Sequence, residues 1–242
     1  MKEWITGRNP VYECLRAGRR HFFRLQLARG VEQKGRIPEI LALAKQQHLN
    51  AEWVERDVLE EYSDNPQGVA LQSSEYPYAD LQGIFDLAKL RNEPLFMLIL
   101  DQIQDPQNMG TLIRSAEVFG VHGMVIPAHH SASVTPAVVN ASSGASEHLL
   151  IAPGNLAQAI DTIKEQDAWV IGLDMDTSAT PLAQTNLKGA LAFVVGSEGE
   201  GLRRLVREKC DLITYIPMRG KVASLNAATA GSIVLQAAAA AR

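Results

Sequence analysis

The 242-residue sequence has little cysteine: Cys14 and Cys210 stand far apart and belong to no paired spacing. That excludes a disulfide framework and reads as reduced thiols in a cytoplasmic protein. No window reaches the roughly 18 consecutive apolar residues of a membrane span. The first residues, "MKEWITGRNPVYECLRAG", hold no apolar stretch of the secretory kind, so export is not expected either. The six histidines, His129-His130 among them, lack metal-ligand spacing with Cys or carboxylates, and no metal is expected. No internal repeat is visible.

What is present suits a soluble globular chain with a sizeable core, at 46% hydrophobic and 21% charged residues. The length allows one large domain or two unequal ones. Net charge is −4, unevenly spread: residues 1–36 hold nine Lys/Arg against three Glu, leaving 14 cations and 24 acids elsewhere. A basic N-terminal segment on an acidic body fits a local nucleic-acid contact, and it also fits an ordinary solvated face.

Residues 1–72 read as a small α/β unit. "NPVYECLRAG" predicts a helix closed by Gly18, "FFRLQLA" a strand, "IPEILALAKQQHLN" an amphipathic helix with Pro38 near its start, and "AEWV" and "GVALQ" short strands. "SSEYPYADLQG" reads as polar linker, giving a 73–92 boundary segment. From residue 93 to 242, apolar runs of strand length alternate with helical stretches: "LFMLIL", "GMVI", "HLLIA", "WVIGL", "LAFVV" and "LITYI". Such runs are buried on both faces in a parallel sheet covered by helices, an α/β class. The Ala-rich end "LQAAAAAR" is a strong helix former that permits close packing.

Three of those strands run into segments with chemistry in them. In "DPQNMGTLIRSAEVFG" the sequence predicts a turn through Asp105-Pro106 and Asn108-Met109-Gly110, then a helix from about Thr111 with Leu112, Ile113 and Ala116 inward and Arg114 outward. Alone, Arg114 is a surface cation; at the C-terminal edge of a parallel sheet it stands where open α/β folds place ligands. In "LAFVVGSEGEGLRRL" the glycines follow G-x-x-G-x-G rather than the dinucleotide spacing, and Glu198 and Glu200 would repel a pyrophosphate. This loop suits a cofactor without phosphates. In "YIPMRGKVASLNAATAGSIVLQAAAAA" a strand ends near Pro217, Ser224 stands where an N-cap is expected, and Asn226 needs a partner for its amide.

In this order, the three segments closely resemble the three motifs of SpoU-type RNA 2′-O-ribose methyltransferases of the SPOUT superfamily, over about Phe96 to Ala241. The first 72 residues resemble the small substrate-binding domain, related to ribosomal protein L30e, of the branch that methylates a guanosine of large-subunit (23S) rRNA. The resemblance implies a C-terminal parallel-sheet domain with a deep trefoil knot and S-adenosylmethionine (AdoMet) as cofactor. It implies a homodimer through the C-terminal domain, with RNA, chiefly 23S rRNA, as partner. It further assigns catalysis to Asn108, Arg114, Glu198, Ser224 and Asn226, and cofactor contacts to Gly196, Ile216, Met218 and Leu225. Arg8, Arg19, Arg20 and Arg24 are the phosphate contacts expected in the basic segment. The chain departs from close relatives at Pro66-Gln67-Gly68, where they carry His-Gln-Gly, and at Ala227-Ala228, where they carry Val-Ser. The same chemistry on tRNA or another rRNA site, a non-catalytic RNA-binding assembly factor, and a nicotinamide oxidoreductase are the rival readings.

Overall fold

The computed structural model describes residues 2–128, 133–176, 179–197, 199, 201–222 and 224–242. The chain divides into two units, Met1–Pro77 with Ser133–His148, and Tyr78–Ala132 with Leu149–Arg242.

The first unit carries a four-stranded sheet of β1 (Lys2–Thr6), β2 (Phe22–Ala28), β3 (Ala51–Val54) and β4 (Val69–Ser74), ordered β1-β4-β2-β3. Strand alternation sorts its faces. Ile5 pairs with Leu71, Leu71 with Leu25 and Val69 with Leu27, so these fully buried side chains share one face. Helices α1 (Arg8–Ala17) and α2 (Arg36–Gln46) add buried Val11, Leu15, Ile37 and Ile40. On the other face Ala28 and Ala70 pack with Leu59 of the short α3 (Arg56–Glu60), flanked by Trp4 and Tyr62. Gly18 ends α1 as expected: its φ of 62° is left-handed, and its N–H donates to the Cys14 carbonyl at 3.2 Å. The sequence reading missed β1 and α3; each is only five residues long, too short for a periodic signal.

In the second unit, residues read as linker fold into α4 (Leu81–Arg91), whose N-cap Asp80 accepts from the Gly83 N–H at 2.7 Å and whose Ile84, Phe85 and Ala88 are buried. Of the stretch read as linker, Ser73 and Ser74 end β4 and Asp80 caps α4, with the boundary between the units at Pro77. All six apolar runs are strands: β5 (Phe96–Leu100), β6 (Gly123–Pro127), β7 (Leu150–Gly154), β8 (Trp169–Leu173), β10 (Leu191–Val195) and β11 (Leu212–Tyr215). With the two-residue β9 (Thr180–Pro181) they form an all-parallel sheet ordered β7-β6-β5-β10-β8-β11-β9. Every residue of β5, β6 and β10 is buried, which is why those runs are continuously apolar rather than alternating.

Helix α5 (Pro106–Val118) follows β5 and begins five residues before the predicted start. Asp105 is its N-cap, accepting from the N–H of Gln107 (3.3 Å) and Asn108 (3.1 Å), and Pro106 sits at N1, where a missing N–H costs nothing. Asn108 is therefore on the first turn of a helix and not in a loop. Between β6 and β7 the chain returns to the first unit through α6 (Pro136–Ala141). Helices α7 (Leu156–Lys164) and α8 (Arg204–Lys209) flank the sheet, and the chain ends in α9 (Ala227–Ala241). Helix α9 lies parallel to α5: Asn226 meets Asn108 at one end, and the Ser115 and Ser232 hydroxyls are 2.7 Å apart further along. The small residues of α9 make this possible. A Cβ at Gly231 would overlap the Leu112 side chain.

Candidate functional site

The C-terminal ends of β10, β8 and β11 open into a cavity of about 440 Å³. Leu173, Asp174 and Met175 contribute from β8; Val195, Gly196, Ser197, Gly199 and Gly201 from β10; Tyr215, Ile216 and Met218 from β11. Ser224, Leu225, Ala227 and Ala230 close it from the last loop and α9. Gly196, Ile216, Met218, Leu225 and Ser224, far apart in sequence, thus line one space.

The glycine loop has a steric reason. Gly201 donates its N–H to the Ser197 carbonyl at 3.2 Å, folding the loop back so that a Cβ at Gly196 would overlap the Gly201 carbonyl. Gly201 itself has φ +66°, a left-handed conformation that favours glycine. The loop's base is held by Asp101, directly after β5 and fully buried, which accepts from the Arg203 N–H (2.8 Å) and Arg203 Nε (2.6 Å). The sequence reading passed over Asp101 and Arg203; the signal was an acid directly after an apolar run, and its partner lay 102 residues on.

The third segment departs from its expected capping. Asn226, not Ser224, is the N-cap of α9, because its Oδ1 accepts from the N–H of both Ala228 (2.9 Å) and Thr229 (3.1 Å). Its Nδ2 donates to Asn108 Oδ1 at 2.8 Å. One amide thus satisfies the start of α9 and ties it to the first turn of α5. Ser224 is freed from capping and lines the cavity. Arg114 projects from the exposed side of α5, opposite buried Leu112, Ile113 and Ala116. Glu198, Glu200 and the His129-His130 pair lie outside the described residues.

The arginines of the first unit are placed otherwise than the charge count suggested. Arg20 is 5% exposed. Its Nε and NH2 donate to both Glu147 carboxylate oxygens at 2.9 and 2.8 Å, and NH1 donates to Glu3 and the Ser74 carbonyl, each at 3.0 Å. It is an internal strut and presents nothing to a phosphate. Arg19 is half-buried, donating to the carbonyls of Glu147 (3.2 Å) and Pro77 (3.0 Å). Beside them Tyr76 is pushed up to about 12 by burial, and its hydroxyl donates to the Ser146 carbonyl at 3.1 Å. Arg24 forks onto exposed Glu52, and Arg8 donates through its N–H and Nε to Gln67 (3.0 and 3.2 Å), fastening α1 to the Pro66-Gln67-Gly68 loop. Residues 1–77 hold 11 Lys/Arg and 11 Asp/Glu, so the excess of the first 36 is cancelled by the acids that follow.

Neither thiol is poised for chemistry: burial raises Cys14 well above its ordinary value and pushes Cys210 up to about 12. Among the described residues no group of three or more His, Cys, Asp or Glu is placed to hold a metal ion. Among the described residues no helix is long and apolar enough to cross a membrane.

Residues 95–236 match the model of the SpoU rRNA methylase family. The chain belongs to that family. Residues 4–79 match a second model, described as RNA 2′-O ribose methyltransferase substrate binding. Among SpoU relatives, YacO of Bacillus subtilis (strain 168), assigned to the TrmH family of tRNA/rRNA methyltransferases, is 38% identical over 96% of this chain and 93% of its own. A tRNA/rRNA methyltransferase of Mycobacterium sp. (strain KMS) is 40% identical over 96% and 74%. The fold is that of the SpoU methyltransferase AviRb from Streptomyces viridochromogenes in complex with AdoMet, with a TM-score of 0.79, 23% identity and 99% and 89% coverage. An AdoMet-bound rRNA methyltransferase from Sinorhizobium meliloti gives a TM-score of 0.79 at 21% identity, covering 98% and 86%.

Proposed function

We propose that this SpoU-family methyltransferase uses AdoMet to methylate a ribose 2′-hydroxyl in structured RNA, a guanosine of 23S rRNA in the cytoplasm being the target. The observation that carries the cofactor reading is the cavity itself. Its volume lies in the range of small-molecule sites, about 300–1,000 Å³. Its described lining is glycine backbone, apolar side chains, the hydroxyl-bearing Ser197, Tyr215 and Ser224, and a single carboxylate, with no Lys or Arg to clamp a phosphate. That suits a nucleoside with a positively charged sulfur and disfavours a dinucleotide. Gly196, Ile216, Met218 and Leu225 are the residues that would hold it. When bound, the sulfonium supplies an electrophilic methyl carbon.

The chain's own groups have separate tasks. The Asn108–Asn226 amide pair ties the N-terminal ends of α5 and α9 to each other beside the cavity. Such fixing supports the alignment on which transfer chemistry depends. Arg114 on α5 is proposed to hold a backbone phosphate and to stabilise the developing alkoxide; a guanidinium keeps its proton in proteins and is a poor base. Glu198 is proposed to orient it, and Ser224 to shape the cavity floor. The exposed side of α5 and α9, with Arg114, Val118 and Ile233, is the surface proposed for a homodimer. The likeness of the first unit to L30e and a trefoil knot belong to the same proposal. After β11 the chain returns past β8 and β10 to pack α9 on α5, as a threaded segment would. A crystal structure whose last helix could be drawn out without crossing the 196–203 loop would remove the knot.

Labelled AdoMet, incubated with total rRNA and tRNA and followed by mapping of the methylated nucleotide, tests the target. A product in tRNA would transfer the activity there, and none in either would favour a binding protein. Replacing Arg114 with Ala is expected to abolish transfer while AdoMet affinity is nearly unchanged; equal loss of both would make Arg114 structural.

A further inference from the structure

Asp174 is the only charged side chain among the described residues lining the cavity, and none of the motifs accounts for it. It follows β8 directly and its N–H donates to the Thr214 carbonyl at 3.1 Å, which fixes its backbone against β11. Its carboxylate is equally fixed. Oδ1 accepts from the Met175 N–H at 2.8 Å, and Oδ2 from Arg207 NH1 on α8 at 2.9 Å. Gly201 comes in on the other side, where a Cβ would lie 3.1 and 3.2 Å from the two oxygens. The side chain keeps 21% of its surface exposed.

An acid in a cofactor cavity can serve as a counter-ion to a cation or as an acceptor for hydroxyls. The geometry favours the second. Arg207 is shared between Asp174 and Asp176, so the trio keeps one net negative charge and the choice rests on how the acceptor atoms are arranged. Among the described residues each oxygen has one donor, while a carboxylate offers about four lone-pair sites. Two acceptor atoms held side by side match a vicinal diol, which brings two O–H donors at once. Building on the AdoMet reading of the cavity, we propose that Asp174 is a cofactor-binding residue that accepts hydrogen bonds from the ribose 2′- and 3′-hydroxyls of AdoMet. Arg207 is its positioning residue.

Calorimetry separates this from the alternatives. Wild-type protein is titrated with AdoMet, with S-adenosylhomocysteine, and with the 2′,3′-dideoxy analogue of S-adenosylhomocysteine. Asp174→Ala and Asp174→Asn are titrated with the same three. Hydrogen bonds to a charged acceptor lead to an expected loss of about 10- to 100-fold in wild-type affinity for the dideoxy analogue relative to S-adenosylhomocysteine. In Asp174→Ala the two then bind alike, and the variant weakens AdoMet and S-adenosylhomocysteine by the same factor. Selective loss of AdoMet would mean a counter-ion to the sulfonium and would overturn the proposal, as would wild-type protein binding dideoxy and normal ligands equally. That last comparison needs no variant, so it decides even if Asp174→Ala fails to fold. Wild-type protein that binds neither AdoMet nor S-adenosylhomocysteine would overturn the reading of the cavity, and this proposal with it.

Discussion

The two units treat charge in opposite ways. In residues 1–77 equal numbers of cations and acids stand close together, and at least six of the cations are in ion pairs, with Arg20 sealed from solvent. The cavity of the second unit has one charged side chain among its 15 described lining residues. In the first unit, folding hides a charge excess that looked like an RNA-binding surface. In the second it gathers uncharged residues from distant loops into one place. A segment's net charge therefore says little about the field it displays, because Glu52 of β3 and Glu55 just after it stand beside Arg24 and Arg29. RNA docking on the first unit has to rest on local geometry and not on bulk attraction.

The sharpest way to break this contrast is Arg20→Ala. It leaves Glu147 buried without its bidentate partner, a situation that costs about 3–5 kcal/mol. A large fall in the urea midpoint is expected. Pairing it with Glu147→Gln should recover part of the loss, since no uncompensated charge then remains. If Arg20→Ala were neutral, the strut would not be closed to water and the arginine could still serve RNA.

The matching change in the second unit is Gly196→Ala. The added Cβ meets the Gly201 carbonyl, which is backbone and cannot rotate away. Overpacking of this kind costs about 1–3 kcal/mol. AdoMet affinity measured by calorimetry should fall more than stability measured by urea, because the loop that moves is the cavity wall. An unchanged affinity would mean that the loop does not form part of the cofactor site.

These cases also show what could be read in advance. The parallel sheet was legible because burial on both faces writes continuous apolar runs, and "LAFVV" or "LFMLIL" admit few other readings. The cavity residues were legible only as matches to a family's motifs, since nothing in the spacing of Gly196, Met218 and Leu225 says that they converge. Capping was half legible. Ser224 and Asn226 are both good caps, and Asn108 on another helix selects between them. Arg20 was misread because its partner, Glu147, lies 127 residues away in a segment that returns to the first unit. Asp174 gave no signal at all: an acid after a strand is common, and only the cavity gives it meaning.

A smaller effect comes from a buried titratable group directly before β6, outside both charge regimes. His122 is 1% exposed; its Nδ1 accepts from the Phe96 N–H at 3.0 Å, which puts the ring proton on Nε2, 2.9 Å from Glu93. Burial lowers its pKa, and Glu93 opposes this only in part. The folded state therefore favours the neutral ring, while the unfolded chain takes a proton near pH 6.5. Between the depressed folded value and about 6.5, the unfolded state holds more protons. Stability should fall as pH drops through that window and level off above it. His122→Asn should flatten that slope in urea titrations from pH 5 to 8; an identical slope would assign it to other groups.

The smallest change in stability is expected from Arg24→Ala, and it sharpens the comparison most finely. Arg24 and Glu52 are a forked pair with side chains 48% and 41% exposed, so removing either should barely move the urea midpoint. RNA affinity is the informative readout. A phosphate can recruit Arg24 only by displacing Glu52, whose carboxyl the arginine holds below its ordinary range. If Arg24 contacts RNA, Arg24→Ala should lower the slope of log affinity against log salt by about one. Glu52→Gln, which releases the arginine, should tighten binding. If neither variant changes affinity or salt slope, Arg24 serves the sheet alone, and of the four arginines expected to meet phosphate only Arg8, half-buried beside the Gln67 loop, would still line a polar groove.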